Sequence, residues 1–150
     1  MTNNTDILIV CSPGGHKYVA DELFGQTTLN YIQITSSNKV KLFETLKISA
    51  NEFAIIESNR DFFFFIQIYL SLKLIIKYNP KIIISTGAGI AIPFFIIGKI
   101  LNKKLIFVES ASRVNSLSLT GRICYFLVDK FYVRNKKLNI MYKKTIYCNE

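Results

Sequence analysis

Ile7-Leu8-Ile9-Val10-Cys11-Ser12-Pro13-Gly14-Gly15-His16 reads as a buried strand that runs straight into a glycine loop. Ile7 to Val10 are β-branched or large and uninterrupted, the pattern of a strand covered on both faces in a parallel sheet. Pro13, Gly14 and Gly15 then break the pattern. Glycines there let the backbone approach a ligand closely, and a helix starting near His16 aims its free N–H groups into the loop. Such a turn suits phosphate or another anion. A tight strand-to-helix turn that binds nothing accounts for the same ten residues equally well.

Working outward, strand and helix signals alternate. After the first strand (7–11) comes a helix over about 16–25, with Asp21 and Glu22 towards solvent, and a partly alternating strand over 29–35. Residues 36–50 are polar and mixed and read as a loop with a short helix; 52–57 is a third strand. Ser58-Asn59-Arg60-Asp61 makes a polar turn able to cap the long apolar helix 62–78. That helix holds four successive phenylalanines but is interrupted by Gln67, Ser71, Lys73 and Lys77. It is shorter than the ~20 apolar residues a membrane span needs. It is expected to be buried or to lie on a membrane, with its lysines snorkelling to water. Asn79-Pro80 ends it.

Lys81 to Ser85 is a further buried strand, followed by a second glycine loop, Thr86-Gly87-Ala88-Gly89. An apolar helix then extends to about Asn102, with Pro93 in its first turn. Strand 105–108 ends at Glu109, 110–118 is a polar loop, 119–128 a short helix, and 131–133 and 145–148 the last strands. The alternation predicts one α/β domain over 1–150, a Rossmann-like parallel sheet with helices on both faces. Ligands of such sheets bind at the carboxyl ends of the strands. Ser12 to His16, Ser85 to Gly89 and Glu109 to Arg113 should therefore meet on one rim.

Half the residues are hydrophobic, which excludes a disordered tail. Cys11, Cys124 and Cys148 are odd in number and lack metal-ligand spacing, so free thiols in a reducing compartment are expected, with no metal. No signal peptide is visible. The net charge is +9, and from Lys99 onward eleven Lys or Arg face three Asp or Glu. That asymmetry points to an anionic partner: acidic headgroups, a lipid pyrophosphate, a nucleotide or nucleic acid; a solvated basic face is the plain alternative. The first loop lacks G-x-G-x-x-G spacing, the second strand ends without an acidic residue, and no Walker loop is present, so a dinucleotide or P-loop reading fits poorly. No nucleic-acid motif is recognisable.

The rim offers one imidazole (His16), one carboxylate (Glu109), one guanidinium (Arg113) and the hydroxyls of Ser12, Ser85 and Thr86. His16 or Glu109 is placed to take a proton from an attacking hydroxyl. Each also has a plain role: His16 as a cap or orienting donor, Glu109 as partner of Arg113 or of a backbone N–H.

Ser-Pro-Gly-Gly-His (12–16), Asn-Arg-Asp (59–61), Ser-Thr-Gly-Ala-Gly-Ile-Ala-Ile-Pro (85–93), Phe-Val-Glu-Ser (107–110) and Ser-Leu-Thr-Gly-Arg (118–122) occur in that order. Together they resemble asparagine-linked glycosylation protein fourteen and its bacterial capsule and exopolysaccharide relatives, the PssD-like proteins. The resemblance implies the amino-terminal half of a GT-B glycosyltransferase, needing no cofactor. It implies a subunit that binds the acceptor and recruits a separate nucleotide-sugar-binding subunit to the cytoplasmic face of the membrane. The reaction implied is transfer from a UDP-sugar, bound mainly by that partner, to a polyprenyl-diphosphate-linked saccharide. A non-catalytic membrane scaffold for the partner is the alternative.

Carried over, the resemblance makes His16 and Glu109 the catalytic candidates. Ser12, Gly14, Gly15, Ser85, Thr86, Gly87, Gly89 and Arg113 become acceptor or phosphate contacts. Asn59, Arg60, Asp61, Thr120, Gly121 and Arg122 become structural or partner-facing positions. The sequence is expected to differ from the eukaryotic members in lacking their amino-terminal membrane anchor, and Arg134-Asn135-Lys136-Lys137 replace the aromatic and acidic residues usual after the last core strand.

Overall fold

The computed structural model describes residues 5–57 and 63–148. In chain order the elements are β1 (Ile7–Val10), α1 (Gly15–Phe24), β2 (Tyr31–Ser37), β3 (Leu46–Lys47), β4 (Glu52–Ile56), α2 (Phe63–Tyr78), β5 (Ile82–Ser85), α3 (Ala91–Ile100), β6 (Lys104–Val108), α4 (Leu119–Leu127), β7 (Lys130–Val133), α5 (Lys136–Met141) and β8 (Thr145–Tyr147). The eight strands form one sheet in the order β3-β4-β2-β1-β5-β6-β7-β8. Every pairing is parallel except β3 with β4. The expected α/β class, parallel sheet and helices on both faces are what the chain adopts.

Alternation along β1 sorts its side chains. Leu8 and Val10 enter the larger core, beneath α2, α3 and α4; Ile7, Ile9 and Cys11 face the α1 side. In the larger core Phe95 meets Phe107 edge-on and Phe107 tilts against Phe131, with ring centroids 6.3 and 5.0 Å apart. The second face carries α1, whose one fully buried residue is Ala20. Beside it lies an apolar trough of about 460 Å³, lined by Phe24, Ile84, Ile106, Val108 and Tyr132. Lys17 braces α1 to the sheet through Glu52 at 2.7 Å, and Gln33 donates to Asp21 at 3.2 Å.

Three expectations need correction or fall outside the described residues. The segment 38–50 contains no helix; its regular part is β3, which turns back antiparallel on β4. The helix α5 was not expected, because its short sequence buries only Leu138 and so carries no apolar period. The capping turn expected at 58–61, with Asn59, Arg60 and Asp61, lies outside the described residues. Among the described residues no helix is long and apolar enough to cross a membrane.

The chain builds outward from β1 through β2 to β4, then returns to place β5 on the other side of β1. The strand order reverses between β1 and β5, and a crevice opens at such a reversal. Val10 is level with Ser85, and Ser85 with Phe107. The loops after β1, β5 and β6 therefore leave the sheet side by side.

Candidate functional site at the strand-order reversal

His16, in the first turn of α1, is tied to the loop after β5 by two hydrogen bonds. Its Nδ1 lies 2.7 Å from the Thr86 carbonyl, and the Thr86 hydroxyl donates to the His16 carbonyl, also at 2.7 Å. A carbonyl only accepts, so Nδ1 carries the proton, and Nε2 of the neutral ring holds the lone pair. Gly87 adopts φ +130°, and a Cβ there would run into the imidazole. Only glycine permits both the backbone and the approach of the ring. Ser85 is fully buried and locks the same loop, accepting from the Gly87 N–H at 3.1 Å and donating to the Gly87 carbonyl at 3.3 Å.

Glu109 is 1% exposed. Its Oε1 accepts from the Ser110 N–H at 3.0 Å; its Oε2 accepts from the Ser118 N–H at 2.9 Å and the Ser118 hydroxyl at 3.0 Å. Ser118 also caps α4, accepting from the Gly121 N–H at 2.9 Å. A Cβ on Gly121 would collide with the Glu109 carboxylate. Glu109 thus ties both ends of the 110–118 loop to β6. Backbone amides and a serine, rather than Arg113, satisfy it. Its charge reaches Cys124, whose thiol is pushed up to about 12, first by burial and then by Glu109. Burial likewise pushes the Cys11 thiol up to about 12.

These loops enclose a polar cavity of about 300 Å³. His16, Gly89, Glu109 and Arg113 line it as expected from sequence, together with Thr120, which was expected as a structural or partner-facing position. Ala88, Ser110 and Ser112, which fall inside the expected rim segments without having been singled out, and Ser118 and Leu119, which lie beyond them, also line it. The signal for Ser110 and Ser112 was their position just after a central strand of a parallel sheet, and for Ser118 its place as the cap of α4. Ser12 and Gly14, on the approach to α1, and Gly15, its first residue, stand outside the lining, and Gly14 has φ +85°. Ser85, Thr86 and Gly87 shape the loop rather than the wall. Gly121 backs the Glu109 carboxylate, and Arg122 is exposed on α4.

The first turns of α1 and α4 and the loop that leads into α3 abut the cavity. Helix amino termini carry partial positive charge. Arg113 adds a full one and has no ion-pair partner among the described residues. The buried Glu109 charge is already matched by its three donors. The arrangement suits an anionic ligand beside one imidazole nitrogen with a lone pair.

Comparison with known proteins gives the family and the fold type. Residues 54–150 match the family model described as "Oligosaccharide biosynthesis protein Alg14 like". The human UDP-N-acetylglucosamine transferase subunit ALG14 is 33% identical over 87 residues, 54% of this chain and 40% of that protein. The Saccharomyces cerevisiae subunit of the same name is 24% identical over 136 residues, 82% of this chain and 57% of that protein. The chain therefore matches less than two thirds of the length of these relatives. Among solved structures, UDP-GlcNAc 2-epimerase from Methanocaldococcus jannaschii superposes with a TM-score of 0.71 at 10% identity, covering 95% of this chain and 45% of that one. MurG from Acinetobacter baumannii gives 0.61 at 9% identity, covering 85% and 41%. Those two likenesses establish the GT-B type of fold and nothing finer. The family match spans the second glycine loop, Glu109 and α4, and on that ground the chain belongs to the Alg14-like family of oligosaccharide biosynthesis proteins.

Proposed function

We propose that the chain is the acceptor-binding subunit of a two-subunit glycosyltransferase. In this reading it moves a sugar, N-acetylglucosamine by likeness to the named relatives, from a UDP-sugar to a polyprenyl-diphosphate-linked saccharide. A separate subunit binds the nucleotide sugar, and the reaction runs at the cytoplasmic membrane surface. The bacterial members that the motifs resemble place the product in capsule or exopolysaccharide synthesis.

The observation that carries the reading is His16 Nε2 left as a base beside an anion-attracting cavity. The acceptor hydroxyl attacks the anomeric carbon of the donor and forms the new C–O bond. The bond from that carbon to the UDP oxygen breaks, UDP leaves with the electron pair, and the hydroxyl proton passes to His16 Nε2. Arg113 and the α3 and α4 amino termini hold the acceptor diphosphate. Glu109 acts as a positioning residue, holding Ser110 and Ser118 where they line the cavity.

The test is sugar transfer from UDP-GlcNAc to a polyprenyl-diphosphate acceptor. It compares this chain, a nucleotide-sugar-binding subunit sought among neighbouring genes, and the two mixed. Activity in the mixture alone supports a split enzyme. Full activity of the partner alone reduces this chain to a scaffold and overturns the reading.

A further inference from the structure

Two consecutive residues of α1 grip opposite flanks of the sheet. His16 reaches the Thr86 carbonyl in the loop after β5, and Lys17 reaches Glu52 on β4, each over 2.7 Å. The strand order puts β4 and β5 on either side of the β2-β1 pair, and Ala20 of α1 shares a core with Ile7 and Ile9 of β1 between them. Successive positions of an α-helix are turned by about 100°, so the two side chains leave α1 in different directions. Grips on opposite flanks fix how the helix is rolled about its axis. A single contact leaves that roll free.

Apolar packing does little of this work, because the one fully buried side chain of α1 is the methyl group of Ala20. The polar contacts are better developed. The Glu52 side chain is 16% exposed and that of Lys17 32%, so salt screens this pair less than a fully solvated one. Gln33 stands beside Glu52 across the β2–β4 pairing and donates to Asp21, one turn after Lys17, at 3.2 Å. Asp21 in turn lies 3.7 Å from the Lys17 ammonium. Gln33, Asp21, Lys17 and Glu52 thus form one chain of polar contacts joining β2, α1 and β4. None of the four lines the cavity, and the proton transfer described above uses none of them.

We infer that the Lys17–Glu52 pair is a positioning device for His16. It sets the roll of α1 so that Nδ1–H meets the Thr86 carbonyl while Nε2 faces the cavity. A base works only when held to a fraction of an ångström, and the residue next to it in sequence is the shortest lever on it. This hold on the ring rests on the contacts themselves; its effect on transfer rests on the reading of His16 as the base.

His16 is the only histidine, so isotope-labelled histidine gives one imidazole in the spectrum of the full chain. Long-range proton–nitrogen correlations then show which nitrogen is protonated. At about pH 8, where the ring is neutral, the intact protein should show Nδ1 protonated and Nε2 bare. Lys17→Met keeps most of the aliphatic stem and drops the charge; Glu52→Gln keeps the shape and drops the charge. Each should mix in the opposite tautomer, and Lys17→Arg should restore the single one. Lys81→Met breaks a similarly short but exposed pair with Asp6 and should change nothing at His16. In the reconstituted transferase, Lys17→Met should lower kcat by about ten- to a hundredfold with KM little changed, and Lys17→Arg should recover it.

A single unchanged tautomer in both Lys17→Met and Glu52→Gln overturns the positioning role and leaves the pair a plain brace. An equal change in Lys81→Met also overturns it, since any lost ion pair would then disturb the ring. The two claims fail separately. If the tautomer responds as expected but the unmodified subunits together transfer no sugar, the proposed function falls and the positioning role stands. If transfer proceeds and the tautomer never moves, the positioning role falls alone.

Discussion

His16 and Thr86 hold each other through two hydrogen bonds that run in opposite directions, each 2.7 Å long, across seventy residues of sequence. The Thr86 carbonyl sets which imidazole nitrogen is protonated, and the Thr86 hydroxyl fixes the backbone that carries the ring. In the reconstituted transferase, His16→Ala should lower kcat by about 10²–10⁴ with a smaller change in KM. Thr86→Val keeps the carbonyl and loses only the hydroxyl bond. It should cost about 1 kcal/mol of stability and reduce kcat far less than His16→Ala. Steady-state kinetics and denaturant midpoints measure both. Equal losses of kcat in the two variants would show that His16 serves only to close the loop.

The two glycines of the second loop should respond differently. Gly87→Ala forces a Cβ into the imidazole at φ +130°. It should cost about 1–3 kcal/mol in strain and displace His16, abolishing most transfer. Gly89 has open space at the Cβ position and an ordinary φ, so Gly89→Ala should leave the thermal midpoint within a degree or two. A scan of melting temperatures distinguishes them.

Glu109 meets three donors while nearly fully buried. Glu109→Gln puts an amide NH₂ where one oxygen now accepts, leaving donors facing a donor. It should destabilise the fold by about 2 kcal/mol or more. Ser118→Ala removes a helix cap and one of those donors, and about 1–2 kcal/mol is expected. If Glu109 positions the loop rather than moving a proton, Glu109→Gln should leave the pH profile of kcat unchanged in shape. A lost limb in that profile would make it the base instead.

Cys11 and Cys124 are fully buried, and burial holds both thiols up to about 12. In the unfolded chain they ionise near 9, so the folded form is the one that keeps its protons as pH rises. Stability is therefore undiminished below pH 9 and falls between 9 and 12, by about 1.4 kcal/mol per pH unit for each thiol. Urea titrations at pH 8 and pH 10.5 should show the drop, and Cys11→Ala should roughly halve its slope. At pH 8 a thiol-alkylating reagent should label Cys148, which is exposed, and spare the other two.

Much of the fold is legible because the central strands are buried on both faces. Ile7 to Val10 and Ile82 to Ser85 are apolar runs bounded by glycine or proline, and their ends were readable almost to the residue. β3 escapes because it has two residues, both exposed, and takes its conformation from the edge of β4. For the site, the convergence of three strand ends was legible from the alternation alone. The hydrogen bond from His16 to a Thr86 carbonyl was not, since the accepting group is backbone and any residue there supplies one. The partners of Glu109 were not legible either, because they are two backbone amides and a serine nine residues away. The Ser118 cap was the clue that these ends meet.

The second face of the sheet is dressed by α1, which buries one residue completely, while the opposite face holds the aromatic core. The imidazole thus rides on the more weakly anchored layer. Cooperative opening of α1 exposes few apolar side chains, so amide protons there should exchange with solvent well before those of β5 or α3. Inactivation on warming would then be a sub-global event: the active constellation comes apart while most of the molecule stays folded, and cooling restores it without a full refolding cycle.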